Sequence, residues 1–221
     1  MIRRYGDNFL ADIEAVAPEN WDFANATCVR IQMPTKTSSE LEMQLRGFIL
    51  ADRTLKASIS LAKCPADLAK WIRLPIVETT EYKDEILRIA VDSFGYDRRF
   101  HFLPRCSQKI ATQVLKEWVE KLDTVLVALF REQPIGFLAL REVTSDILFV
   151  HLAAVEEKYR MTGAAMALYS RACQLAQERS YKKLEGRISS QNTPVMNLYV
   201  AFGAIFSEPK DIFLKEVRHD S

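Results

Sequence analysis

Between Ile147 and Arg179 the chain writes out a strand, a tight turn and a long helix in succession, and that order constrains every other part of the fold. The run ILFVHLAAV, Ile147 to Val155, reads as a buried strand. A short polar stretch leads into Arg160-Met161-Thr162-Gly163-Ala164-Ala165, after which Leu168, Ala172, Leu175 and Ala176 recur at helical spacing. The first N–H groups of a helix have no partner within it, and the aligned peptide dipoles place partial positive charge there. A strand that feeds such a turn makes a cradle for an anion. Gly163 and the two small alanines let a phosphate come close to the backbone. The pattern points to a diphosphate without saying which molecule carries it.

The rest of the chain divides in two. Residues 1–70 hold a short strand candidate in Asn25 to Pro34 and a helix capped by Ser38 or Ser39 and ended by Gly47. They also hold an alternating strand in Arg53 to Ala62, with Leu55, Ala57, Ile59 and Leu61 on one face. This is a small α/β unit, too short to keep much core of its own, that docks on the larger C-terminal part. Residues 71–221 are more regular. The pattern predicts a strand over 72–77, helices over 80–93 and 107–122, and a hairpin over 124–130 and 135–141. After the central strand and long helix come a strand over 183–189, a helix over 193–202 and a closing hairpin over 204–206 and 212–217. The expected class is α/β (α+β): a mixed, mostly antiparallel sheet flanked by helices, with the small N-terminal unit attached.

Arg160, Gly163 and Ala165 fill the pattern Gln/Arg-x-x-Gly-x-Gly/Ala, which resembles the acyl-CoA signature of the GCN5-related N-acetyltransferase (GNAT) superfamily. Downstream, ISSQNTPVMNLYVAFGAIF is similar to the second hallmark of that superfamily: a strand, an Asn at a helix start, and a Tyr before "FGA". The resemblance covers about the last two-thirds of the chain. It implies the GNAT fold and an acetyl-CoA-dependent N-acetyltransferase working by direct attack of an amine in a ternary complex. A small N-terminal unit, the loop YDRRFHFLPR and the end pattern also resemble the dTDP-fucosamine acetyltransferase group, which acetylates a nucleotide-linked amino-deoxy sugar.

Acetyl transfer needs a donor for the oxyanion, an acceptor for the amine's proton and a donor for the departing sulfur. By family position the oxyanion donor is the backbone N–H of Val155, with Ala154 beside it, at the free end of the central strand. The cofactor turn runs through Arg160, Met161, Thr162, Gly163, Ala164 and Ala165, and Asn192 falls where the family often holds the cofactor arm. Asn192 is equally suited to capping a helix. Tyr199 falls on the position of the family's general acid, and a phenol at about 10 is a fair match for a thiol at about 8.5. The proton acceptor is the open position: His101 titrates in the useful range, while Glu156, Glu157 and His151 are weaker candidates. Arg98, Arg99, Phe100 and Arg105 are the expected acceptor contacts, suited to pairing phosphates and stacking a ring.

Net charge is +1, which excludes a strong electrostatic footprint for nucleic acid. The longest apolar runs are strand-sized, against the roughly 20 residues of a membrane span. No signal-peptide core opens the chain, so the expected compartment is the cytoplasm. Cys28, Cys64, Cys106 and Cys173 are widely spaced; free thiols and no metal site are expected. Other acceptors (a peptide, a polyamine, an antibiotic amine) stay open, as do a non-catalytic acyl-CoA-binding module and a homodimer formed through the N-terminal unit. Neither the acceptor nor the acyl length is written in any motif.

Overall fold

The structure, a computed structural model, describes residues 2–5, 10–15, 26–37, 39–65, 67–94 and 108–217. Its strands are β1 (Ile2–Tyr5), β2 (Leu10–Glu14), β3 (Cys28–Pro34), β4 (Ile49–Ser60), β5 (Ile76–Glu78), β6 (Thr124–Phe130), β7 (Gln133–Thr144), β8 (Ile147–Val155), β9 (Lys183–Ser189) and β10 (Ile205–Glu216). Five α-helices are described: α1 (Glu40–Leu45), α2 (Lys83–Phe94), α3 (Gln108–Glu120), α4 (Ala164–Glu178) and α5 (Thr193–Ala201). The ten strands form one mixed sheet in the order β1-β2-β3-β10-β4-β9-β8-β7-β6-β5. Pairing is antiparallel except at β2/β3 and β8/β9. A parallel pair needs a crossover, and α4 supplies it between β8 and β9.

Helices cover both faces. On one face Leu168, Ala172, Leu175 and Ala176 of α4 and Tyr199 of α5 pack with Ala57, Ile59, Leu184, Leu138 and Val150. On the other, Ile86, Ile89 and Ala90 of α2 and Leu115 and Val119 of α3 pack with Phe137, Ala139 and Leu152. This explains why β7 is buried without interruption from Pro134 to Leu140 instead of alternating. A smaller core under α1 joins Met43 and Phe48 to Val29, Ile31, Met33 and Phe213. Helix α1 starts as expected, with Ser39 Oγ accepting from Glu42 N–H at 3.2 Å, and ends at Gly47, whose φ of +78° suits glycine.

Two expectations are corrected. The closing hairpin is one strand: β10 bends at the irregularity between Ser207 and Lys210, where Glu208 has φ +48°, and then continues. The Ser-Glu-Pro-Lys stretch carries turn residues, but both arms pair with β4, so the stretch bulges the strand without reversing it. Cys28 is disulfide-bonded rather than a free thiol, since distance in sequence says nothing about proximity in space. Such bonds are rare in reducing compartments, which pulls against the cytoplasmic expectation. Cys64 and Cys173 are free, and Cys106 lies outside the described residues. No helix among the described residues is long and apolar enough to cross a membrane.

Strand β4 belongs to the N-terminal stretch yet lies inside the sheet, between β10 and β9. It pairs with β9 from Thr54↔Ser189 to Ser60↔Lys183. The seam between residues 70 and 71 therefore marks no break in the sheet.

Candidate active site

Strands β8 and β9 pair only from Ile147↔Lys183 to Val150↔Gly186. Beyond that point β8 runs on to Val155 and β9 to Ser189 without pairing to each other. The parting coincides with an extra residue on β8: Leu140 faces Val150 while Ala139 faces Leu152, leaving His151 as a bulge that sharpens the local twist. Glu156 N–H donates to Ile135 O at 2.9 Å, so it points toward β7. Antiparallel ladders alternate, which turns the N–H of Val155 the other way, into the gap left by β9. Ala153 shares that direction. Ala154, expected as the contact beside Val155, turns its peptide groups to β7 opposite Phe137.

The chain leaves β8 through a 3₁₀ turn, Glu157–Thr162, and reaches α4 at Gly163. Gly163 has φ +82° and serves as N-cap without a side-chain hydrogen bond, so the first N–H groups of α4 receive nothing from a cap. Nothing lies within 4 Å of where a Cβ on Gly163 would be, so the turn opens to its surroundings. Arg160 folds back, its Nε donating to Val155 O at 3.3 Å, and thereby ties the turn to the strand end. Thr162 Oγ1 donates to Tyr159 O at 2.7 Å. Met161 is 97% exposed, Ala164 is buried and Ala165 is half-buried.

Asn192 is the N-cap of α5: its Oδ1 accepts from Val195 N–H at 3.3 Å, with Pro194 in the first turn. This cap and the turn to Tyr199 aim the phenol at the sheet. Tyr199 is 1% exposed, and a Cβ on Gly186 would stand 2.1 Å from its hydroxyl oxygen. The hydroxyl thus lies against the last residue that β9 pairs with β8. Tyr169 OH donates to it at 3.4 Å, and the two rings meet edge to face at 5.1 Å. Burial pushes the Tyr199 phenol well above its ordinary range, and Tyr169 up to about 12.

The opposite face of the same strands was not read from the sequence as a site. Leu184, Gly186 and Ile188 face α4 and α5, so Glu185, Arg187 and Ser189 face the α2/α3 side. Glu185 is 7% exposed and sits in a row with Ser58 of β4 and Phe149 of β8. Ser58 Oγ donates to Glu185 Oε1 at 2.9 Å. Ser189 Oγ donates to buried Asp52 at 2.8 Å. Arg187 donates to Glu208 O at 2.9 Å, and burial lowers its guanidinium pKa. Over this face Trp118 of α3 reaches both the His151 ring, at 5.5 Å between centroids, and the Arg30 guanidinium on β3, at 6.0 Å. Strands β3 and β8 are separated by β10, β4 and β9, so the Trp118 ring bridges side chains from the two ends of this polar face. The signal available beforehand was the alternation Leu-Glu-Gly-Arg-Ile-Ser, whose polar set would face solvent on a half-buried strand.

Glu156 is engaged. Burial alone would raise its carboxyl, but Arg88 and Lys158 together hold it below the usual range. Glu157 is exposed. His101, Arg98, Arg99, Phe100 and Arg105 lie outside the described residues. Among the described residues no group of three or more His, Cys, Asp or Glu could hold a metal.

Comparison with curated proteins gives no match. Solved structures match in fold. A conserved protein of unknown function from Staphylococcus epidermidis superposes with a TM-score of 0.65 at 15% identity, over 87% of this chain and 73% of the other. A GCN5-related N-acetyltransferase from Sphaerobacter thermophilus gives 0.60 at 17% identity, over 88% of this chain and 61% of that one. Another, from Kribbella flavida, gives 0.53 at 13%, over 86% and 69%. Residues 83–204, more than half of the sequence, match the profile of the Acetyltransferase (GNAT) family. That span holds the parted strands, the turn after β8 and the helix bearing Tyr199, and acetyl-CoA is the acyl donor of this family. The chain belongs to the GNAT family of acetyltransferases.

Proposed function

We propose that this chain transfers the acetyl group of acetyl-CoA to the primary amine of a small molecule, and that the acceptor is an amino-deoxy sugar carried on a nucleotide, as in the dTDP-fucosamine acetyltransferase group. The observation that carries the reading is the parting of β8 from β9 after Val150, with the Val155 N–H turned into the gap one short turn ahead of Gly163. Residues and cofactor fit: the free edge of β8 offers amide partners to a pantetheine chain, and the uncapped start of α4 offers N–H groups to a diphosphate. When bound, acetyl-CoA supplies an activated acyl carbon and a good leaving group.

The chain's own groups do the rest. The N–H groups of β8 nearest the parting at Val150 stabilise charge developing on the acyl oxygen, since Val155, expected in that role, stands five residues further on, about 16 Å along the strand at about 3.3 Å per residue. Ala153 and Val155 orient the pantetheine amide, while Gly163, Ala164 and Ala165 take the diphosphate with Met161 and Thr162 at its edge. Asn192 caps α5 and offers its amide to the cofactor arm. Tyr199 is held protonated by burial, as a donor must be; the same burial makes it a reluctant acid, so it yields its proton only as charge builds nearby. The hydroxyl- and charge-lined face of Ser58, Arg187, Ser189 and Asp52 suits an acceptor with many hydroxyl groups. Arg98, Arg99, Phe100 and Arg105 are assigned to the nucleotide.

The test is thiol release from acetyl-CoA with a thymidine-diphosphate-linked 4-amino-4,6-dideoxy sugar, spermidine and a short peptide as competing acceptors. Preference for the sugar nucleotide by at least tenfold in kcat/KM supports the reading; preference for spermidine or peptide replaces its acceptor. A chain that binds acetyl-CoA yet releases no thiol with any of them is a binding module.

A further inference from the structure

We infer that Glu185 is the group that receives the acceptor's amine: its carboxylate binds the ammonium and takes a proton from the nitrogen as it attacks. The inference rests on the acetyl-transfer reading and adds to it the residue on the acceptor side. Burial and partners come first. Glu185 is 7% exposed, and its one hydrogen bond among the described residues is from the neutral Ser58 hydroxyl, at 2.9 Å. No cation pairs with it among those residues. A carboxylate taken out of water without a counter-ion is unfavourable, and an ammonium arriving beside it would offset that cost. The other carboxylates of this face are engaged: Asp52 by Ser189 Oγ and Arg53 N–H, and Glu208 by Lys56 and Arg187.

Placement comes second. Glu185 immediately precedes Gly186, the last residue that β9 pairs with β8. The Tyr199 hydroxyl lies against Gly186 on the α4/α5 face, and strand alternation puts the Glu185 side chain on the opposite face. An acyl group entering where the strands part would therefore meet a hydroxyl on one side of the sheet and a carboxylate on the other. Phe149 stands beside Glu185 in register, and on its far side the exposed Arg141 guanidinium lies over the Phe149 ring at 5.2 Å without pairing with Glu185.

Atoms and electrons balance in this step. The ammonium nitrogen gives one proton to Glu185 and bonds the acyl carbon with the freed lone pair. The carbon–sulfur bond breaks, and sulfur leaves with that electron pair. The nitrogen's second proton makes up the one that sulfur takes, and Glu185 returns its own to water.

The experiment uses the full chain saturated with coenzyme A and labelled with ¹³C at the glutamate carboxyls. The Glu185 resonance is identified by its loss in Glu185→Gln, or, should that variant not fold, by its displacement in Ser58→Ala. Methylammonium, the smallest primary ammonium, is titrated in, with methanol as the neutral control. A saturating shift of the Glu185 carboxyl, absent with methanol, is the expected result. A carboxyl that stays silent, answers methanol equally, or drifts without saturation like exposed glutamates overturns the assignment. Failure of the acetyl-transfer reading appears elsewhere: coenzyme A would then not raise the unfolding temperature of the unaltered protein.

Discussion

Gly186→Ala should damage the protein through a single contact, and Tyr199→Phe should repair it. A Cβ on Gly186 would lie 2.1 Å from the Tyr199 hydroxyl oxygen, 3.2 Å from Cζ and 3.5 Å from Val150 Cβ. Non-bonded heavy atoms rest at about 3.5 Å, so about 1.4 Å must be found between methyl and hydroxyl. Little can give way. Gly186 is pinned by Ala57 on one side and Val150 on the other, and the Tyr199 ring is wedged against Tyr169 on a helix fixed by its Asn192 cap. Overpacking of this kind costs about 1–3 kcal/mol. In a chain of this length each kcal/mol moves the melting point by about 2–4 °C. Tyr199→Phe alone should cost about 1 kcal/mol, because it strands the buried Tyr169 hydroxyl that donates to it. The double variant places the new methyl where the hydroxyl was. It should be no less stable than Tyr199→Phe by more than about 0.5 kcal/mol, although additivity would put it 1–3 kcal/mol lower. Urea unfolding of the four proteins measures this, provided the m-values agree. Additive costs, or a Gly186→Ala protein as stable as the parent, would refute the claim that this hydroxyl is seated on the end of the β8/β9 pairing.

Gly163→Val should raise the Kd for acetyl-CoA at least tenfold in calorimetry, since it forces a branched side chain to φ +82° and places it in open space at the cradle; unchanged affinity would remove the turn from the cofactor site. Glu156 has a folded pKa below its unfolded value, so its stabilising contribution is present above the ordinary glutamate range and is lost as pH falls through the folded pKa. The stability gap between the parent and Glu156→Gln should accordingly be widest at neutral pH and close on acidification below about pH 4, the ordinary glutamate range; a gap independent of pH in urea titrations would contradict the Arg88 and Lys158 pairing.

Legibility tracked the kind of information each element needs. The β8–turn–α4 unit was readable because the strand period, the glycine and the helical period lie next to one another in sequence, and α5 was readable from Asn-Thr-Pro at its start. Ser39 and Gly47 marked both ends of α1 by local chemistry alone. What failed depended on partners far along the chain. Pro209 sits in a stretch that looks like a turn, and only the pairing of β10 with β4 on both sides of it keeps it a strand. Glu185 went unread as a site, because it falls in the polar set of an alternating strand and its neighbours Ser58 and Phe149 come from strands far along the chain. Tyr199 was assigned through its family position, but the fit of its hydroxyl onto Gly186 depends on two residues thirteen apart whose closeness no periodicity records.

The place of β4 leads to a prediction about residues 71–221 by themselves, the stretch that holds all of the family match. Strand β4 supplies seven register pairs to β9 and eight to β10. It also lays Ala57 and Ile59, both fully buried, beneath the core that holds Leu184 and Tyr199. Without it β9 becomes an edge with its backbone groups unpaired, and β10 loses its partners on both sides, since β3 goes as well. The loss of Ala57 and Ile59 alone removes about 2–4 kcal/mol of apolar burial, a large share of the stability of an ordinary domain. Ser58, which holds Glu185, is lost with them. A fragment beginning at residue 71 should therefore show no cooperative thermal transition and no response to acetyl-CoA, and adding residues 1–70 as a separate chain should restore both. A fragment that melts cooperatively and binds acetyl-CoA like the whole chain would mean that β9 and β10 find each other directly, and that β4 is an insertion which the acetyltransferase core can do without.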